Sequence, residues 1–334
     1  MTIQDIARRA GVSTATVSRA LANPETVSES FRQKVSQAVS ETGYMPNKAA
    51  RNLRSQKSMT ILVVVPNVVN AFWPEVLRGI DDELVADGYD LIIGNLDNLV
   101  EREERYVNLA ASGQIDGALL LSGRVPVGHD RSMIDLGIPI VTLASAVPGL
   151  DIPQIVVNER SVSAEIAQHF YDLGHRRFCY VAGPEGNFNE LERSSGYYDR
   201  LTDLGIPAQD IVRIPAGFTF TAGSNAAQQF LSLKERPTAV YAACDESAIS
   251  FIKVIQSAGL SVPDDVSVVG FDGIEAALYC EPTLTTVRQP RTEMGRTGAR
   301  ILLDQLAGKT VPTGMIELEA PLSIEASTGP AKRA

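Results

Sequence analysis

Histidine and cysteine are scarce, with three of each in 334 residues. Cys179, Cys244 and Cys280 lie far apart and form no C-x-x-C, so they read as reduced core or pocket thiols, not as a disulfide frame. His129, His169 and His175 fall on no H-E-x-x-H or other ligand spacing, so no metal site is expected. His175 precedes a strand and is expected to be structural. Cofactor signatures are missing as well. No G-x-G-x-x-G follows a strand, and no G-x-S-x-G elbow occurs. Gly308-Lys309-Thr310 looks like the end of a phosphate loop, but Leu303 stands where its first glycine must be. With no nucleophile–base or metal constellation, an enzyme is not expected, and no cofactor is either. No apolar run reaches about 18 residues, so no membrane-spanning helix is expected. The opening Met1-Thr2-Ile3-Gln4-Asp5 carries neither a basic cluster nor an apolar stretch, so the expected location is the cytoplasm.

What is present fits a globular chain of two or three units: 44% apolar and 21% charged residues. The net charge of −10 is unevenly spread. Residues 1–58 hold nine basic side chains (Arg8, Arg9, Arg19, Arg32, Lys34, Lys48, Arg51, Arg54, Lys57) against four acids (Asp5, Glu25, Glu29, Glu41), a balance of +5. The remaining residues hold 21 basic and 36 acidic side chains, a balance of −15. A small basic head on a large acidic body implies that only the head meets a polyanion.

The head's periodicity predicts three short helices. Thr2 with Asp5 forms a cap, and Ile3, Ile6, Ala7 and Ala10 fall at helical spacing over 3–10, with Gly11 as the stop. Val12 can plug the corner between helices. Ser13 caps a second helix over 14–21. Its Val17, Ala20 and Leu21 face inward, and Thr14, Ala15, Ser18 and Arg19 face outward. Asn23-Pro24 ends it. Ser28 caps a third helix, with Phe31, Val35, Ala38 and Val39 inward and Gly43 as terminator. Two helices joined by a tight turn, plus a third to pack on, describe a helix-turn-helix. Hydroxyls suit phosphates, and an outward arginine can fork onto guanine in the major groove. Residues 47–54 allow about two helical turns, too few to be stable alone in water. Leu53 between Arg51 and Arg54 fits an apolar minor-groove wedge held by phosphate contacts.

The run Asp5-Ile6-Ala7-Arg8-Arg9-Ala10-Gly11-Val12-Ser13-Thr14-Ala15-Thr16-Val17-Ser18-Arg19-Ala20-Leu21 resembles the N-terminus of lactose-repressor (LacI/GalR-type) transcriptional regulators. Gly43-Tyr44-Met45-Pro46-Asn47-Lys48-Ala49-Ala50-Arg51-Asn52-Leu53 resembles that family's linker and hinge helix. The resemblance implies that Thr14, Ala15 and Arg19 meet base edges. It implies that Ser13, Thr16, Ser18, Tyr44 and Asn47 meet phosphates, with Leu53 wedged at the operator centre. Ala15 offers only a methyl group, which shifts specificity toward Arg19 and toward DNA shape at the Leu53 step.

After residue 58, strand-like runs alternate with helical ones. Strands are expected at 60–65, 89–93, 117–121 and 138–143, then at 177–181, 239–242 and 266–269. Helices are expected at about 74–87, 101–112 and 160–173. Two such series predict two open parallel sheets, with ligands beyond the strand C-termini in the cleft between them. Glu101, Glu103 and Glu104 are expected to form a solvated helix start. The body resembles the same family along nearly its whole length. Pro66-Asn67-Val68-Val69-Asn70-Ala71-Phe72-Trp73, Leu173-Gly174-His175-Arg176-Arg177, the run 262–272 and the run 282–290 carry the likeness. It implies an α/β two-lobed fold similar to periplasmic sugar-binding proteins, with crossings near 158, 289 and 318.

The expected organisation is thus an all-α helix-turn-helix domain at 1–46, a hinge and linker at 47–58, and an effector-binding body at 59–330. The body's N-lobe covers about 59–158 and 290–318, and its C-lobe about 159–289 and 319–330. Phe72 and Trp73, the only tryptophan, offer flat faces to a sugar ring or a base. Arg193 can fork onto hydroxyl pairs or a carboxylate. By the resemblance Asn70, Phe220, Cys244, Asp245, Asp272 and Gln289 complete the effector contacts, although Asp245 could instead cap a helix and Phe220 could be core. Many relatives have Asp-Arg where this chain has Ala144-Ser145, and Asn-Asp at Cys244-Asp245. Asn158 stands where an Asp is common. These departures favour an effector with fewer hydroxyls, or an anionic one that leans on Arg193. The expected function is a sequence-specific regulator, a repressor, acting as a homodimer on a near-palindromic operator in double-stranded DNA. Its effector is a sugar, sugar acid or sugar phosphate. A transport-type sugar-binding protein and a regulator governed by a protein co-regulator are the alternatives.

Overall fold

The protein is described by a computed structural model covering residues 1–44 and 57–332. It divides into two compact units, Met1–Ser58 and Met59–Ala334. The expected hinge residues Asn47, Leu53 and Arg54 lie outside the described residues.

The head is built from α1 (Ile3–Ala10), α2 (Thr14–Ala22) and α3 (Glu29–Thr42). The Thr2 backbone amide donates to Asp5 Oδ2 at 2.9 Å, and the Asp5 amide donates back to Thr2 Oγ1 at 3.4 Å. This reciprocal cap satisfies donors that a helix start leaves open. Gly11 ends α1 at φ 64°, a left-handed conformation that costs glycine little. Ser13 Oγ accepts from the Thr16 amide at 3.1 Å and opens α2. Ile6, Ala7, Ala10, Val17, Ala20, Val35 and Ala38 form the buried core. Arg9 pairs with Glu41 at 2.9 Å and ties α1 to α3. Two expectations fail. Ser28 makes no side-chain cap. Phe31 lies four residues before Val35 on the same stripe, yet it is 43% exposed, with Lys34 Nζ 5.9 Å from the centre of its ring.

In the body, six parallel strands form one sheet in the order β11-β5-β4-β3-β1-β2. They are β1 (Thr60–Val65), β2 (Asp90–Asn95), β3 (Gly117–Leu120), β4 (Ile140–Leu143), β5 (Pro153–Val157) and β11 (Gly314–Leu318). A second parallel sheet runs β7-β6-β8-β9, from β6 (Phe178–Val181), β7 (Ile211–Ile214), β8 (Ala239–Ala242) and β9 (Ser267–Val269). The helices are α4 (Trp73–Ala86), α5 (Glu103–Ala111), α6 (Glu159–Asp172), α7 (Phe188–Asp203), α8 (Phe220–Leu231), α9 (Asp245–Ser257) and α10 (Arg291–Leu306). Every strand and helix expected by number lies within two residues of its place. The inner strands β1, β3, β4, β6 and β8 are apolar and buried on both faces, as parallel strands flanked by helices must be.

The chain passes between the lobes three times. It leaves the first sheet after β5 and enters the second through α6. It returns after the short β10 (Thr286–Val287), when α10 packs on α4 and leads to β11. It crosses again to β12 (Leu322–Ser323), which pairs antiparallel with β10. The α4–α10 contact is backbone against backbone. A Cβ on Gly79 would sit 2.0 Å from the Thr292 carbonyl oxygen, and one on Gly295 would sit 2.1 Å from that of Val76. His175 is structural, as expected. Its Nδ1 lies 2.8 Å from Thr238 Oγ1, and its Nε2 lies 3.1 Å from the Gly329 carbonyl oxygen. The acidic run is partly a correction. Glu103 is buried, accepts from the Val127 amide at 2.9 Å and pairs with Arg124 at 2.5 Å. The 122–127 loop folds over it, so a helix-start acid becomes an internal anchor.

Candidate DNA-reading face and ligand cleft

On α2, Thr14, Ala15 and Arg19 are exposed, and Thr16 and Ser18 are half-buried. Ala15, Ser18 and Arg19 share one face at i, i+3 and i+4. Ser13 and Thr16 lie 2.9 Å apart through their hydroxyls. Tyr44 is half-buried against the head core. Arg8 and Arg9 are held by Asp5 and Glu41, and Arg32 by Glu29. Arg19 reaches only the Ala15 carbonyl oxygen, at 3.4 Å, and has no carboxylate partner among the described residues. Its charge is therefore available to an external anion or base edge.

The body holds a cleft of about 610 Å³ beyond the strand C-termini, within the range of small-molecule sites. Asn70, Phe72 and Trp73 line its N-lobe side, Arg193 and Asp272 its C-lobe side, and Gln289 stands at a crossing. The Phe72 and Trp73 rings meet edge to face, 4.8 Å apart at 87°. Three of the nine expected effector residues are not in its wall. Phe220 opens α8, is 43% exposed and is not among the residues that line the cleft. Cys244 is the cap of α9, its sulfur accepting from the Ser247 amide at 3.4 Å. Asp245 is buried beneath the cleft, where it accepts from the Ile274 amide at 2.8 Å and from Thr286 Oγ1 at 2.5 Å. It therefore fixes the loop after β9 and the start of β10.

Sequence reasoning missed several wall residues. Asn189 Nδ2 donates to the Ala144 carbonyl oxygen at 2.9 Å. Asn70 Nδ2 donates to that of Phe218 at 3.2 Å, and Glu246 accepts from the Ala71 amide at 2.9 Å. All three bonds cross between the lobes. Glu246 directly follows Asp245 on a helix start, and no local pattern separates the anchor from the clasp.

Arg193 is buried and fully engaged. Its Nε and Nη2 hold the two oxygens of Glu159, and its Nη1 donates to the Ala243 carbonyl oxygen at 2.5 Å. Nη2 also lies 3.5 Å from Asp272 Oδ1, and the guanidinium carbon lies 3.7 Å from the centre of the Phe271 ring. Burial opposes the Arg193 charge, but Glu159 and Asp272 more than offset it and keep the guanidinium protonated. Asp272 accepts from Gln289 Nε2 at 2.8 Å and sits at φ 115°, strained for a residue other than glycine. Burial pushes its carboxyl up to about 7, with Arg193 pulling the other way. Burial and then Asp272 push Asp245 well above the carboxylate range. Among the described residues, three buried atoms of uncharged side chains in the wall have no hydrogen-bond partner: Trp73 Nε1, Ser145 Oγ and Gln289 Oε1. Among the described residues no cluster of His, Cys, Asp or Glu is arranged to hold a metal, and no helix is long and apolar enough to cross a membrane.

Comparison with known proteins agrees with these two parts. Residues 2–47 match the description "Bacterial regulatory proteins, lacI family", and residues 167–328 match "Periplasmic binding protein-like domain". The HTH-type transcriptional repressor CytR of Escherichia coli (strain K12) is 38% identical over 331 residues, 98% of this chain and 96% of that one. A lac repressor dimer bound to operator and the anti-inducer ONPF superposes with a TM-score of 0.87 at 26% identity, covering 98% of this chain and 99% of that one. A transcriptional regulator CelR–cellobiose complex superposes with a TM-score of 0.74 at 28% identity, again over 98% and 99%. With its three-helix head and two-lobed body, the chain belongs to the lacI family of bacterial regulatory proteins and is a DNA-binding transcriptional regulator.

Proposed function

We propose that the chain is a homodimeric repressor of a near-palindromic operator, and that a small ligand in the body cleft changes its operator affinity. The carrying observation is the cleft itself: two aromatic rings and three residues with unpartnered buried polar atoms line a space between two lobes. Unpaired buried polar groups cost free energy, and a ligand that meets them removes that cost. The relatives support the scheme, one being a dimer bound to its operator and the other a complex with a disaccharide. In the head, Arg19, Thr14 and Ala15 take the base edges. Ser13, Thr16, Ser18, Tyr44 and Asn47 take phosphates, with Leu53 and Arg54 at the operator centre. In the body, Asn70, Phe72, Trp73, Arg193, Asp272 and Gln289 face the effector. Ligand closure moves one lobe on the other and biases the paired hinges, a coupling of about 1–3 kcal/mol. The chain works where the operator is, in the cytoplasm, and it acts by binding, not by turnover.

The experiment is a mobility-shift titration on a palindromic duplex selected from random sequence by the full chain. Specific binding that Arg19→Ala weakens by roughly 5–150-fold supports the assignment. Binding that is indifferent to duplex sequence, or unchanged in Arg19→Ala, refutes it.

A further inference from the structure

Each cation in the cleft wall is already neutralised from inside the protein. Arg124 is paired with buried Glu103, and Arg193 with buried Glu159. What remains is acidic. Glu246 and Glu185 line the cleft with no cation partner among the described residues, and Asp272 beside Arg193 adds a carboxyl whose charge burial opposes. A carboxylate or phosphate on a ligand would have to displace Glu159 from Arg193, leaving a buried carboxylate unpaired, or else face this surplus directly. The groups that do await a partner are uncharged. Trp73 Nε1 is a donor, Ser145 Oγ can donate or accept, and Gln289 Oε1 is an acceptor. The orientation of Gln289 is set by Asp272, because its amino group is the half that can donate to a carboxylate.

We infer that the cleft selects an uncharged ring-bearing effector with its own hydrogen-bond donor and acceptor, and rejects phosphorylated and carboxylated forms of the same ring. This rests on the effector reading of the cleft, and it replaces the anionic effector that the sequence had left open. The rings of Phe72, Trp73 and Phe218 supply apolar faces for such a ligand. Arg193 serves as a positioning residue, holding Glu159 and Asp272 in place while keeping little charge to offer outward.

The test is a binding titration of the full chain with matched pairs: ribose and its phosphate ester, cellobiose and cellobionate, uridine and uridine monophosphate. Trp73 fluorescence reads the cleft and calorimetry reads total binding. At least one neutral member should bind, and its anionic partner should bind at least about 30-fold more weakly near neutral pH. That gap should narrow in Glu246→Gln and in about 0.5 M salt, which screens a charge effect. An anionic member that binds as tightly as its neutral partner, with Trp73 responding, overturns the inference and leaves the effector reading standing. A gap that neither Glu246→Gln nor salt alters overturns the charge explanation. If no member perturbs Trp73 or releases heat at about 10 mM, the inference and the effector reading fall together.

Discussion

Arg19 in the head and Arg193 in the body are the same side chain in opposite circumstances. Arg19 is exposed on a short helix, with one long contact to its own backbone. Arg193 is buried between carboxylates that arrive from 34 and 79 residues away. The first has its charge free for a partner outside the protein. The second has spent its donors holding two lobe segments together. An arginine's function thus follows from its neighbours, and on a folded body those neighbours are distant in sequence.

The largest effect is expected from breaking the buried set. Arg193→Ala leaves Glu159 and Asp272 without their cation and should destabilise the body by about 3–5 kcal/mol in denaturant melts. Arg193→Lys should recover only part of this, since an ammonium cannot fork onto Glu159. A loss under about 1 kcal/mol would mean that the pair is loosely held. At the exposed site the pattern reverses. Arg19→Ala should weaken operator binding by about 1–3 kcal/mol while moving stability by no more than about 0.5 kcal/mol.

A pH series sharpens the contrast. The folded Asp272 carboxyl titrates at about 7, against 3.8 for the ordinary side chain. Between those values the folded chain holds a proton that the unfolded chain has lost, so this group makes stability fall as pH rises through the window. Burial lowers the His169 and His175 values, which tilts stability the other way on the acid side, but equally in any Asp272 variant. The difference between wild type and Asp272→Asn should therefore isolate a slope on the order of 1 kcal/mol per pH unit. Parallel curves would show that the carboxyl does not carry it. The smallest effect is expected at Phe31. Phe31→Ser should cost less than about 0.5 kcal/mol because the ring is exposed.

The head was the more legible unit because its signals are local. Caps, the Gly11 stop and 3–4 spacing lie within one or two turns of the helices they define, and α1 and α2 follow them. Phe31 fails there because periodicity names a face but not whether anything covers it. In the body, apolar runs such as 60–65 and 239–242 mark buried strands unmistakably. β7 and β11 escape notice because each is a partly exposed edge strand with a charged residue in it. At the cleft, aromatic character identified Phe72 and Trp73. Asp245 and Glu246 are adjacent acids whose roles separate only when Ile274, Thr286 and Ala71 are brought to them. Glu103 joined an apparently solvated run, and only the 122–127 loop shows it to be internal.

The central claim is that occupancy of the cleft is coupled to operator affinity. Its most direct measurement is fluorescence anisotropy of the selected operator duplex with the full chain, with and without a ligand that saturates the Trp73 signal. Affinity should change by about 5–150-fold between the two states. An affinity that stays within about twofold while Trp73 reports a filled cleft would contradict that coupling.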